Sequence, residues 1–271
     1  MLVKLNAIAL SIVFAAVLEV VVFGEKWFFH ALIFLVIFSV LAVWPLARRI
    51  KFFAIPFFLS VGSLSLLYLI DEPIEKHVFV GLSSLVYYLA LIGAYRLKFY
   101  DCDRTAQGMI NLATLATGFF WFVSNYGWYL NFEISTWILV LTFVGSTFLI
   151  GLPSLLICAE SCRQIDERSN GKSKQLTLVS KDLRHHNNQV VFYLSFIIAL
   201  VMGELIWGLA LWPFGYLTTG VVVVIFYFVL WDVARMYIQN VLTRKAVIAD
   251  ILIAFFSISG ILATAKWSLV V

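Results

Sequence analysis

The chain has 271 residues, of which 63% are hydrophobic and 13% charged, with a net charge of +4. A soluble domain carries roughly 25% charged residues, so this composition, with a mean hydropathy of +0.99, excludes a water-soluble globule. At about 20 apolar residues per bilayer-spanning helix, nine helices would take about 180 residues, close to the apolar share of the chain.

In chain order, the long apolar runs predict spans at Leu5–Gly24, Trp27–Leu46, Phe52–Ile70, His77–Leu97, Gly108–Ser124, Ile134–Cys158, Gln189–Ala210, Tyr216–Val233 and Ala246–Ala265. None alternates with the period of two that marks a barrel strand. Helices satisfy their own backbone inside lipid, so the expected fold is all-α, a polytopic bundle of about nine spans in one transmembrane domain, residues 1–271. The first span is followed by no A-x-A cleavage site and is expected to be retained as an anchor.

Lys and Arg are asymmetric across the loops. One side collects Lys4, Arg48, Arg49, Lys51, Arg96, Lys98, Arg104, the bases from Arg163 to Arg184, then Arg235, Arg244 and Lys245. The other holds Lys26, Lys76 and Lys266. By the positive-inside rule the basic side is cytoplasmic. The expected location is therefore the plasma (inner) membrane, with the N-terminus inside and the C-terminus outside. These charges are scattered over short segments, whereas nucleic-acid binding needs a concentrated basic face, so no nucleic-acid partner is expected.

The largest loop, residues 159–188, divides at Asn170-Gly171. Its first half reads as a charged extension of the sixth span. Residues 172–184 read as a basic amphipathic segment suited to anionic inner-leaflet lipids, or equally as a solvated connection.

Acids inside spans are the strongest pointers to function, because inserting one is unfavourable by about 2.5–3.5 kcal/mol for Asp at mid-bilayer. Glu19 shares a stripe with Ser11, Ala15 and Ala16, and Glu204 sits between Gly203 and Trp207. Both lie about 8–9 Å from the outer helix end at 1.5 Å per residue and are expected to point inward, where they could meet. Asp250 begins a stripe through Ala254, Ser257 and Thr264 that is expected to face the bundle. Glu19, Glu204 and Asp250 are thus the candidates for a proton or cation site. Asp232 and Arg235 are spaced for a helix ion pair. Asn111, Thr114, Thr117, Gly118 and Trp121 form a polar stripe on the fifth span, which helix packing alone also explains. Pro56 and Pro153 fall inside spans and are expected to bend them.

Most tryptophans fall near the expected outer interface, and Trp121, Trp207 and Trp212 are the candidates for an outer-leaflet groove taking a lipid or sugar. Cys102, Cys158 and Cys162 lie on the cytoplasmic side without a C-x-x-C pair, so no metal is expected. The chain has no H-E-x-x-H, no phosphate-binding glycine loop and no D-x-x-D run. Asp101-Cys102-Asp103 reads as a solvated loop. No catalytic residue and no cofactor is therefore assigned.

Gly203-Glu204-Leu205, Leu211-Trp212-Pro213, Tyr216-Leu217-Thr218-Thr219 and Tyr227 together resemble an uncharacterised family of bacterial polytopic inner-membrane proteins. The resemblance implies a multi-span membrane protein and no particular activity. Three readings follow. The first is a non-enzymatic integral membrane protein of unassigned role, for which a subunit or a component binding a membrane-protein partner is one form. The second is a small proton- or cation-coupled transporter. The third is a lipid- or glycan-processing enzyme working at the outer leaflet.

Overall fold

A computed structural model describes residues 2–47, 52–100, 103–169 and 177–265 of the chain. Those residues form nine α-helices: α1 (Leu2–Phe23), α2 (Phe28–Ala47), α3 (Ala54–Leu69), α4 (Pro73–Phe99), α5 (Arg104–Asn131), α6 (Thr136–Ser169), α7 (Thr177–Leu209), α8 (Tyr216–Ile238) and α9 (Arg244–Thr264). No strand occurs among them. Seven helices, α1 and α4 to α9, are long and apolar enough to cross a membrane. The other two spans expected from the sequence are shorter apolar helices, over Phe28–Val43 and Ala54–Leu69. The chain is a membrane-embedded helical bundle.

Local chemistry sets the helix ends. Asp103 caps α5 by accepting from the backbone N–H groups of Thr105 (3.0 Å) and Ala106 (3.3 Å). Its second oxygen receives Arg96 Nη2 at 2.6 Å, which ties the end of α4 to the start of α5. Of the loop expected to be solvated, Asp103 is therefore a cap and a clamp, and Asp101 and Cys102 lie outside the described residues. Pro56 is the third residue of α3, in the first turn, where a missing N–H leaves no bond unmade. It starts a helix and does not bend one. α6 runs unbroken through Pro153 to Ser169, as expected for a helical extension beyond the sixth span.

α8 ends in a Schellman motif. Asn240 takes a left-handed φ of 55°, Val241 N–H donates to Met236 C=O at 3.1 Å and Asn240 N–H to Tyr237 C=O at 3.1 Å. Two residues later Thr243 caps α9 through Ala246 N–H, at 3.3 Å.

The 16 residues of α3 rise only about 24 Å, short of a roughly 30 Å hydrocarbon core. Most of α3 is buried, with Leu59, Ser60, Ser63 and Leu64 fully enclosed. A helix covered by protein has no lipid thickness to match. It packs tightly on α5: a Cβ at Gly62 would stand 3.1 Å from the Trp121 backbone nitrogen.

Two apolar cores share α5. The first joins α1 to α5 around Phe14, Leu35, Leu59 and Tyr87, with Phe14 stacked on Tyr87 at 4.4 Å. The second joins α5 to α8 around Phe122, Phe143, Met202 and Tyr227, with Phe122 stacked on Phe143 at 5.1 Å. Successive residues of α5 alternate between them: Val123 belongs to the first and Phe122 to the second.

Candidate functional site

The polar stripe of α5 meets matching residues of α6 and α8 in a buried seam. Thr114 Oγ1 reaches Ser154 Oγ at 3.5 Å, and the Trp231 indole N–H donates to the same Ser154 Oγ at 3.2 Å. One turn toward the end expected to face outward (the outer end), the Tyr227 ring lies against Gly118, and its hydroxyl is 3.8 Å from where a Gly151 Cβ would stand. Toward the inner end, Gln239 Nε2 donates to Cys158 Sγ at 3.0 Å. Helix periodicity explains the ladder. Gly151, Ser154 and Cys158 fall on one face of α6, and Tyr227 and Trp231 on one face of α8. Other hydroxyls return to their own helices: Thr114 to Ile110 C=O at 2.8 Å, Thr117 to Ala113 C=O at 2.6 Å. Tyr227 OH and Thr147 Oγ1 are buried without a hydrogen-bond partner among the described residues. The seam is chiefly a packing device with two unmatched hydroxyls at its centre.

The candidate acids occupy three separate places. Glu19 lies at the outer end of α1 and pairs with His77 of α4, Oε2 to Nδ1 at 3.0 Å, both groups partly exposed. Glu204 is exposed on α7. Its neighbour Gly203 faces α6, where a Cβ would meet Val144 Cγ2 at 2.5 Å, and the next residue, turned about 100° around the helix, points away. The expected meeting of Glu19 and Glu204 is replaced by the Glu19–His77 pair.

Asp250 meets Asp232 between α9 and α8, within hydrogen-bonding reach of its carboxyl. Asp232 Oδ1 also takes Arg235 Nη2 at 2.9 Å, the ion pair expected from the spacing, while the guanidinium lies 5.4 Å from the Trp231 ring centre. Asp250 Oδ2 is buried without a donor among the described residues. The stripe expected to follow Asp250 holds only in part. Ala254 is buried, but Ser257 and Thr264 are exposed, and Ile258 packs on the core in their place.

The three tryptophans do not share a groove. α5 continues to Asn131, beyond the Ser124 end expected from hydropathy, so Trp121 lies about 15 Å below its outer end. There it packs edge-on against Phe58, ring centres 4.9 Å apart. Trp207 is 62% exposed on α7, and Trp212 packs on Phe214 at 5.5 Å. The outer end is organised by other aromatic residues. Trp128 stacks on Tyr68 at 5.5 Å and on Phe132 at 4.5 Å. Tyr126 OH donates to Leu209 C=O (3.2 Å) and Tyr216 OH to Leu69 C=O (3.1 Å), bonding last-turn carbonyls of α7 and α3 that lie beyond the helical ladder. Neither bond can be foreseen from the sequence, because the partners are backbone carbonyls 83 and 147 residues away.

The basic segment 172–184 falls partly outside the described residues. From Thr177 its backbone continues α7 as one 33-residue helix. Among the described residues no group of His, Cys, Asp and Glu could hold a metal ion. No curated protein and no solved structure matches the chain significantly. Residues 175–264, which hold α7, α8 and α9, match the model of a family described as a protein of unknown function, DUF5656.

Proposed function

We propose that the protein is a non-enzymatic, multi-spanning component of the plasma (inner) membrane that holds a second membrane protein through α9. One observation carries this reading. α9 leans on α8 through Asp250 and Ala254, and Ala254 is its only buried residue. Ile251, Ile253, Phe255 and Phe256 are each more than half exposed. Apolar surface gains nothing in lipid by burial as such, so helices associate there through close packing and polar bonds. α9 packs along one stripe, Asp250, Ala254 and Ile258, and leaves the rest of its circumference to a neighbour. The basic side faces the cytoplasm, the N-terminus is inside and the C-terminus is outside.

Photo-crosslinking in native membranes tests the proposal. A photoreactive residue at Phe255 and at Ile251, one turn away, is expected to give the same discrete protein adduct, absent when the probe stands at Ile12 on α1. Lipid adducts alone at both positions would overturn the reading. Orientation is checked separately: Cys162 is expected to react with an impermeant thiol reagent only from the cytoplasmic side.

A second reading, proton- or cation-coupled transport, is favoured by the Asp232–Asp250 contact, where the guanidinium of Arg235 pairs with Asp232 and Asp250 Oδ2 has no donor among the described residues. In proteoliposomes, uptake driven by a proton gradient and abolished by Asp250→Asn would support it. Uptake at the level of empty vesicles would remove it.

A further inference from the structure

Between α1 and α4 the protein surface carries an apolar groove of about 420 Å³. α1 lines it with Ile8, Ser11, Ile12 and Ala15, and α4 with Ser84, Leu85 and Tyr88. The two serines add no free polar groups, since Ser11 donates to Ala7 C=O at 2.9 Å and Ser84 to Val80 C=O at 2.6 Å. Small side chains keep the cleft open upward. Gly81 has nothing within 4 Å of a Cβ position, and Ala15 lies one turn below Glu19. At the outer mouth stands the Glu19–His77 pair, with side chains 34% and 49% exposed.

Length identifies the kind of occupant. From Ile8 to Glu19 the groove and its mouth rise about 16 Å, about half of a roughly 30 Å core. A packed transmembrane helix would need a seam of the full height, whereas an acyl chain needs one leaflet. Charge identifies the headgroup. Glu19 offers a carboxylate, and the turn into α4 adds exposed Asp71, Glu72 and Glu75, against the single base Lys76. His77 turns Nδ1 to Glu19 and leaves Nε2 without a bond among the described residues. An acidic mouth with an adjoining imidazole fits a primary ammonium, which has three N–H donors to share between the Glu19 carboxylate and the accepting Nε2 of an imidazole whose Nδ1–H is turned to Glu19.

We propose that this groove binds one aminophospholipid of the leaflet at the α1 C-terminus. One acyl chain lies between Ile12 and Leu85, and the ethanolamine ammonium sits on Glu19. The site lies outside residues 175–264 and does not depend on α9 or its partner.

Native mass spectrometry of the full chain, released from vesicles of equimolar phosphatidylethanolamine, phosphatidylcholine and phosphatidylglycerol, tests it. Wild type is expected to retain the ethanolamine lipid about five- to tenfold over the other two, the scale of one charge-assisted hydrogen bond that choline lacks the N–H to make. Glu19→Gln is expected to bring the ratio near one. Ala15→Leu, which fills the cleft and keeps the acid, is expected to lower retention of all three lipids. Equal retention by wild type overturns the proposal. So does an undiminished preference in Glu19→Gln, or a dimer that occupies the groove and is released by Ala15→Leu. Should Glu19→Gln unfold, His77→Gln is read in its place: it is expected to weaken the preference, and a preference unchanged there also overturns the proposal.

Discussion

Single side chains in this protein act mostly as connectors between helices. Asp103 does two jobs at one turn, and they separate cleanly. Asp103→Ala removes the cap and is expected to lower stability by about 1 kcal/mol. Asp103→Asn keeps a capping oxygen and is expected to retain most of it, because the Arg96 partner is 41% exposed and such bridges contribute little. Reversible unfolding in mixed micelles measures both. Ser154 is the acceptor for Trp231 inside the seam. A double-mutant cycle with Ser154→Ala and Trp231→Phe is expected to give a coupling of about 0.6 kcal/mol, and not above about 1.7, the range for hydrogen bonds between membrane helices. A coupling near zero would show that the geometry carries no energy. The spacing of Asp232 and Arg235 was enough to foresee their pair, because both lie on one helix. The Ser154–Trp231 bond was not foreseeable, since its partners lie 77 residues apart.

At the level of helices, close approach depends on particular glycines, and the others are incidental. A Cβ at Gly62 would press the Trp121 backbone at 3.1 Å, and one at Gly220 would stand 2.5 Å from Val123 Cγ2 and 3.0 Å from Val123 Cα. Backbone cannot rotate away as a side chain can. Gly62→Ala and Gly220→Ala are therefore expected to destabilise by about 1–3 kcal/mol. Gly145 has nothing within 4 Å of its Cβ position. There Gly145→Ala is expected to be neutral or to stabilise by up to about 1 kcal/mol, through helix propensity. If all three variants shift the midpoint alike in a thermal-shift assay, steric packing is not the cause. Hydropathy located these helices but cut α5 short at Ser124, because its outer turns carry Asn125, Tyr126, Trp128 and Tyr129. Aromatic and amide groups lower the apolar average, yet they suit the packed outer end of the bundle.

Across the molecule, α5 belongs to both cores, and that shapes how the fold comes apart. Phe14→Ala and Phe143→Ala empty one core each. Both are expected to destabilise by about 1–2 kcal/mol, less than in a soluble core, because the lost side chain leaves packing and not water exclusion. Since Val123 and Phe122 alternate between the cores on one helix, each variant is expected to unfold in a single transition. Two resolved steps, observed by intrinsic fluorescence, would show that the halves are independent.

The membrane class, the helical content and the approximate position of each helix were legible in composition and hydropathy. Those properties are local sums over about 20 neighbouring residues, and lipid allows the backbone few alternatives. The in-helix pair at Asp232 and Arg235 was legible for the same reason. Which faces meet was not. Periodicity places Glu19 beside Ser11 and Ala15, but only the packing of α1 on α4 sets it against His77 at the mouth of a groove. Periodicity likewise groups Asp250 with Ser257 and Thr264, but the tilt of α9 on α8 buries Ile258 instead. In a chain that is apolar almost all round, hydrophobic contrast cannot say which side of a helix is inward. The fit of glycines, hydroxyls and ring faces decides that, and this fit exists only between residues far apart in sequence.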